Sequence, residues 1–243
     1  MATPSIYLLS TAALPLELVE EAAQKGMILE AEAYISIEPV ADEALGVRIR
    51  ELGRQRLTAI FTSTNAVEAI GGSGGGDWMI FCTSGATRQL VAERFGADAI
   101  AGTADSAAEL AAQIIRVAPG DAAAGVRGAA VYFFCGDQRR DELPDLLKEA
   151  GLTAHEVVVY RTILTPQKTQ RIYAGIAFFS PSAVESYFSL NTVADGVTLF
   201  AIGRTTAAAI QARCPNAMII SDRPGKEALV RTMTDYFQTN NKE

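Results

Sequence analysis

The chain repeats itself, and this restricts its fold more than any other feature. Phe61-Thr-Ser-Thr-Asn-Ala-Val-Glu68 recurs as Phe178-Phe-Ser-Pro-Ser-Ala-Val-Glu185, and Phe81 to Thr87 recurs as Phe200 to Thr206. Ala107-Ala-Glu-Leu110 matches Lys226-Glu-Ala-Leu229, and Ile6-Tyr7 through Gly26 parallels Val131-Tyr132 through Gly151 with no gap. Four matches in one order, roughly 120 residues apart, imply two structurally similar lobes.

What each lobe is made of follows from the apolar runs. Ile6–Leu9, Ala59–Phe61, Met79–Cys82, Val131–Cys135, Ile176–Phe179, Leu199–Ile202 and Met218–Ile220 are short and continuous, and helix-like stretches lie between them. Such runs read as parallel strands buried on both faces, hence an α/β sandwich. Tandem lobes over about 1–120 and 121–243 are one layout. However, Tyr34–Ile37 and Val157–Thr162 sit at equivalent places in the repeat and lead into Pro39 and Pro166 rather than into a helix. They could carry the chain from one lobe to the other and back, which would make the first lobe discontinuous. Pattern alone does not choose between the two layouts. Gly71 to Gly76 lacks the lysine and hydroxyl of a phosphate loop and reads as a flexible loop; Ala122–Gly128 reads as a small-residue linker.

Composition removes several classes of function. No apolar run of the 243 residues reaches the ~20 needed to span a bilayer, so no membrane association is expected. Met1 to Ser10 carries no basic stretch ahead of its apolar residues, so no secretory signal is expected. Cys82, Cys135 and Cys214 lack metal-ligand spacing and read as reduced thiols of a cytoplasmic protein. A single histidine, His155, argues against histidine-rich metal sites and His-based triads. The net charge of −7 argues against nucleic acid as partner, yet leaves room for a small polyanion in a locally basic cleft.

The chemistry concentrates where strands end in hydroxyl residues and open helices: Thr62-Ser63-Thr64-Asn65, Thr83-Ser84-Gly85-Ala86-Thr87, Ser180-Pro181-Ser182 and Gly203-Arg204-Thr205-Thr206. Free amides at a helix start bind anions, and open α/β sheets take ligands at the carboxyl ends of their strands. The same hydroxyls could serve only as helix caps. Arg88, Arg139, Arg140, Arg161 and Arg204 lie near these edges and could grip carboxylates. No paired carboxylates at catalytic spacing, nucleophile elbow or metal cluster stands out, so the chain is suited to holding an anionic substrate rather than attacking it.

Phe61-Thr-Ser-Thr-Asn-Ala-Val67, Phe179-Ser-Pro-Ser-Ala-Val184, Ala201-Ile-Gly-Arg-Thr-Thr-Ala207 and Val159-Tyr-Arg-Thr162 resemble the uroporphyrinogen-III synthase family, with similarity from Ile6 to about Phe237. The resemblance implies an α/β fold of two similar, doubly wound, flavodoxin-like parallel-sheet lobes joined by a two-stranded β-ladder. Lobe one would be 1–36 plus 163–243 and the inserted lobe 37–162, with the active site in the cleft between them. It implies hydroxymethylbilane as substrate, closed with loss of water and inversion of ring D, with no cofactor and no metal. The preceding deaminase is a candidate partner, and a monomer is expected.

By motif position, Tyr160 corresponds to the family's tyrosine that assists departure of the hydroxyl, and a phenol can act as general acid there. Ser63, Thr87, Ser180, Thr205 and Thr206 correspond to cleft residues that bind carboxylates, mostly through backbone amides, and Arg139, Arg140 and Arg204 supply positive charge. The chain departs from the family's pattern at Thr11-Ala12, where an arginine often follows the threonine, at Ser84, where glycine is common, and at Cys135-Gly136-Asp137, where an arginine–glycine pair is usual. A non-catalytic anion-binding module or degenerate paralogue is the main alternative, and a nucleotide- or flavin-binding protein a second.

Overall fold

The computed structural model describes residues 6–71, 75–117, 130–139, 141–223 and 225–240. The chain divides into two compact lobes, one formed by Met1–Ser36 with Ile163–Glu243 and the other by Ile37–Thr162. We call them the discontinuous and the continuous lobe.

The discontinuous lobe contains β1 (Ile6–Ser10), α1 (Leu16–Gln24), β2 (Met27–Ala31), β9 (Gly175–Phe178), α7 (Pro181–Leu190), β10 (Thr198–Ala201), α8 (Arg204–Gln211), β11 (Met218–Ile220) and α9 (Lys226–Asn240). Its parallel sheet has the order β11-β10-β9-β1-β2, the flavodoxin-like order of a doubly wound sheet. Alternate residues of each strand feed opposite cores. Leu9, Ile176, Phe178, Leu199 and Ala201 pack under α7 and α8, whereas Leu8, Ala177 and Phe200 pack with Leu18 of α1 and Leu229 and Met233 of α9. Burial on both faces is why these strands read as unbroken apolar runs.

The continuous lobe contains α2 (Glu43–Leu52), β4 (Leu57–Phe61), α3 (Thr64–Ile70), β5 (Trp78–Thr83), α4 (Ala86–Phe95), β6 (Ile100–Ala104), α5 (Ala107–Val117), β7 (Val131–Gly136) and α6 (Glu142–Glu149). Two further strands, β3 (Ile35–Pro39) and β8 (Ala154–Leu164), complete a sheet of order β3-β8-β7-β4-β5-β6. The lobe division falls inside β3 and inside β8, the strands on which the two proline-bounded β-rich stretches lie. Phe61, Phe134, Trp78 and Phe95 form an aromatic cluster on one face, with Phe134 stacked at 5.2 Å on both Phe61 and Trp78. Ile60, Phe81, Phe133 and Cys135 fill the other face with Leu110 and Ile114 of α5 and Leu143 and Leu147 of α6.

The repeat has a topological meaning. Matching β7 to β1, β8 to β2, β4 to β9, β5 to β10 and β6 to β11 makes the spatial order of these five strands the same in both sheets, with β3 added beyond β8. Chain order differs: the continuous lobe runs β4 to β8, as a circular permutation of its counterpart. The paired glycines of the repeat, Gly26 and Gly151, both follow a helix end with φ near +80°, where a side chain would be strained.

Candidate active site

Doubly wound sheets bind ligands beyond the carboxyl ends of their strands, where the strand order reverses. In the continuous lobe that point lies between β7 and β4. A pocket of about 560 Å³ opens there, and Ser63, Thr83, Asp105, Gly136, Arg139 and Tyr160 are among the residues lining it.

Tyr160 stands on β8 and reaches the pocket because Gly136, the last residue of β7, has no side chain. A Cβ at Gly136 would lie 2.5 Å from Cε2 and Cζ of the Tyr160 ring and 2.9 Å from its hydroxyl oxygen. The phenol therefore lies directly against the end of β7. Beside it, Cys135 is buried and its Sγ sits 3.9 Å from the Val157 carbonyl oxygen. Burial pushes this thiol up to about 11, so it stays protonated at neutral pH and is no nucleophile.

Arg139 is already matched. Its Nε and Nη2 donate to the two carboxylate oxygens of Glu156 at 2.7 and 2.6 Å, and Nη1 pairs with Asp141. These hydrogen bonds hold the guanidinium charged, with its pKa raised. A substrate carboxylate would have to share or displace one of these partners. Arg204, by contrast, is exposed at the start of α8 and forms no ion pair with a described residue. Arg140 lies outside the described residues, as do Ala122–Gly128 and the middle of the glycine-rich run.

The four hydroxyl-rich turns fall into two kinds, and the repeat preserves the distinction. Ser63 caps α3, its Oγ accepting from the Asn65 amide at 3.1 Å; its repeat partner Ser180 caps α7, accepting from the Ala183 amide at 3.1 Å. The other pair, α4 and α8, opens on Gly85 and Gly203, and no side chain caps either helix. First-turn amides have no intrahelical acceptor, so these two starts keep donors for a ligand that the serine-capped helices partly use. Thr87 and Thr206, in the first turns of α4 and α8, are buried at 6% and 3% exposure, whereas Thr205 is exposed. Ser63, Arg139 and Tyr160 thus come together around one pocket of the continuous lobe; Ser180, Arg204, Thr205 and Thr206 occupy equivalent strand ends of the discontinuous lobe.

Sequence reasoning missed Asp105, Ser106, Gln138 and Glu142, which also line the pocket. One signal was available for the first two: Ser106 followed three residues later by Glu109 is a helix-start pattern, and Ser106 Oγ accepts from the Glu109 amide at 3.2 Å. Among the described residues no group of three His, Cys, Asp or Glu could hold a metal ion, and no helix is long and apolar enough to cross a membrane.

A family model described as uroporphyrinogen-III synthase HemD matches residues 17–231. Among solved structures, a mutant uroporphyrinogen III synthase from the extremely thermophilic bacterium Thermus thermophilus superposes with a TM-score of 0.63 at 14% identity, covering 98% of this chain and 100% of that one. Uroporphyrinogen-III synthetase from Helicobacter pylori 26695 gives a TM-score of 0.64 at 14% identity, covering 95% and 99%. At such identity the structural likeness is one of fold.

Proposed function

The chain belongs to the uroporphyrinogen-III synthase family, and from that premise we propose how its residues divide the work of closing hydroxymethylbilane into uroporphyrinogen III. It is an enzyme, a cyclising lyase of haem biosynthesis.

The substrate carries eight carboxylates and a terminal hydroxymethyl group on ring A, at the opposite end from ring D. Losing that hydroxyl needs a proton, because hydroxide is a poor leaving group. On our reading the Tyr160 phenol supplies it, water departs, and the pyrrole nitrogen's electron pair stabilises the methylene cation that remains. The substituted α-carbon of ring D attacks that cation to give a spiro intermediate, and its older bond to the ring C methylene breaks to leave a second methylene cation. The free α-carbon of ring D closes on it and regains aromaticity by losing a proton, which the phenolate can take back. The observation that carries this reading is the phenol pressed against Gly136 in the pocket that Ser63 and Arg139 also line.

The linear substrate closes unaided to the uninverted isomer, so the enzyme's main task is geometric. Strand-end turns, with backbone amides at Ser63, Thr87, Ser180, Thr205 and Thr206, anchor the carboxylates of three rings while ring D turns over. This is catalysis by orientation. Arg139, Arg140 and Arg204 add charge around the anchors. A monomer working in the cytoplasm, receiving substrate from the preceding deaminase, fits this scheme.

Two measurements test it. Incubation with freshly prepared hydroxymethylbilane, followed by chromatographic separation of isomers, should give type III product in excess; only the uninverted isomer would refute the activity. Tyr160→Phe should lower kcat roughly a hundredfold without abolishing turnover, as expected for loss of a general acid from a reaction controlled by orientation. Unchanged turnover would remove the proton-donor role.

A further inference from the structure

Beyond Cys135 the pairing of β7 with β8 shifts register. Cys135 pairs with Val158 but Gly136 with Tyr160, so Val159 is passed over and β8 bulges just before the tyrosine. β7 ends at Gly136, yet β8 continues to Leu164. Asp137 carries the ladder on. Its backbone N–H donates to the Tyr160 carbonyl oxygen at 3.2 Å, and its side-chain Oδ1 accepts from the Thr162 amide at 2.9 Å. A carboxylate oxygen thus stands where the next strand residue's carbonyl would be.

We propose that Asp137 is a positioning residue for Tyr160: with Gly136 it fixes the phenol at the mouth of the pocket. The proposal rests on the reading of Tyr160 as proton donor and names what aims it. Three contacts act on a short stretch of β8. Gly136 meets the ring, the Asp137 amide holds the carbonyl of the same residue, and the Asp137 carboxylate holds the amide two residues on. The last is a charge-assisted bond, stronger than a neutral one. Without it β8 keeps β3 on its far edge but loses its tie to the end of β7 beyond the bulge, and a shift of that backbone carries the ring with it. The Asp137 carboxylate is committed to a backbone amide, and as an anion it would repel rather than bind a polycarboxylate.

The test uses the full-length chain with hydroxymethylbilane as substrate, and NMR of ring-¹³C-labelled tyrosine. The chain has seven tyrosines, so the Tyr160 signal is assigned by its loss in Tyr160→Phe. Asp137→Ala should lower kcat by roughly tenfold or more, with KM within about twofold, and should shift or broaden the Tyr160 signal alone. Asp137→Asn keeps an oxygen acceptor and should recover most of the lost kcat and the wild-type signal. Gly136→Ala, whose added Cβ occupies the ring's place, should move the same signal from the other side. The proposal is overturned if Tyr160 keeps its signal in Asp137→Ala, or if Asp137→Asn is as impaired as Asp137→Ala. Full turnover in Tyr160→Phe alongside a moved signal in Asp137→Ala sinks the donor reading alone and leaves the positioning standing.

Discussion

Ser63 offers the clearest way to ask whether the turn hydroxyls or the backbone amides touch the substrate. Its Oγ accepts from the Asn65 amide at 3.1 Å, which commits the hydroxyl oxygen to the helix it starts. Ser63→Ala removes that acceptor from α3, a helix of seven residues otherwise held by burial of Ala66, Val67 and Ile70. Loss of such a cap costs about 1 kcal/mol, and replacement by glycine only a few tenths. In a cooperative unit the size of Ile37–Thr162, 1 kcal/mol corresponds to roughly 4 °C in Tm. Trp78, the chain's single tryptophan, lies in that lobe and reports its unfolding by fluorescence.

The kinetic consequence has a different size. A hydroxyl hydrogen-bonded to a substrate carboxylate contributes about 1.5–3 kcal/mol, so its removal would raise KM by roughly tenfold or more. If the amides do the binding, Ser63→Ala should lower Tm by those few degrees, leave KM within about threefold, and be largely restored in stability by Ser63→Gly. A tenfold rise in KM with an unshifted Tm would refute this assignment. The hydroxyl would then be a substrate ligand and the capping geometry incidental.

Two further outcomes follow from the core of the continuous lobe. Phe134 is fully buried between Phe61 and Trp78, so Phe134→Ala should cost about 3–5 kcal/mol; at a urea m-value of ~1.5 kcal/mol/M the Trp78 transition should move down by about 2 M or more, and a shift under about 0.5 M would contradict the packing. Burial raises the thiols of Cys82 and Cys135 from 9.0 to about 11. Unfolded thiols release protons first, so stability is intact below pH 9 and falls as pH rises from 9 towards 11, by roughly 2–3 kcal/mol per thiol. Replacing both with alanine should flatten that alkaline decline in Trp78-detected unfolding, and an equally steep decline would exclude the thiols as its cause.

How much of this was legible in the sequence depended on burial. Runs such as Ile6–Leu9 and Met79–Cys82 were readable because both faces of their strands are covered. β2 and β6 escaped notice because their apolar runs are broken: β2 carries Glu30, which pairs with Arg171, and β6 is built from Ile-Ala-Gly-Thr-Ala. The hydroxyl-rich turns could be located, but not which of them turn their oxygen back onto the helix. That depends on backbone angles at Ser63 and Ser180, both extended. Arg139 read as a free charge because Glu156, which takes two of its donors, lies 17 residues away on β8. Asp137 read as part of a departure from the family's pattern, since nothing local announces a carboxylate that extends a strand ladder.

The duplicated lobes also explain why only one of them carries a candidate proton donor. The ungapped match of Ile6–Gly26 with Val131–Gly151 sets Thr11 against Gly136. Both follow the last apolar residues of a central strand, at the point where the strand order reverses. In the discontinuous lobe that place is filled: Thr11 is fully buried, and its amide and hydroxyl both donate to the Ala177 carbonyl oxygen, at 3.0 and 2.9 Å. The threonine ties β1 to β9. In the continuous lobe the same place is a glycine, and the vacated volume receives the Tyr160 ring. A side chain that staples two strands and a void that admits a phenol are exclusive uses of one position. The two lobes keep the same order for their five shared strands and the same helix-capping pattern, so on the proposed reading the glycine at the end of β7 and the tyrosine beside it on β8 together separate a lobe that anchors substrate from a lobe that also donates a proton to it. Filling the glycine position should therefore remove the chemistry while leaving the anchoring turns intact.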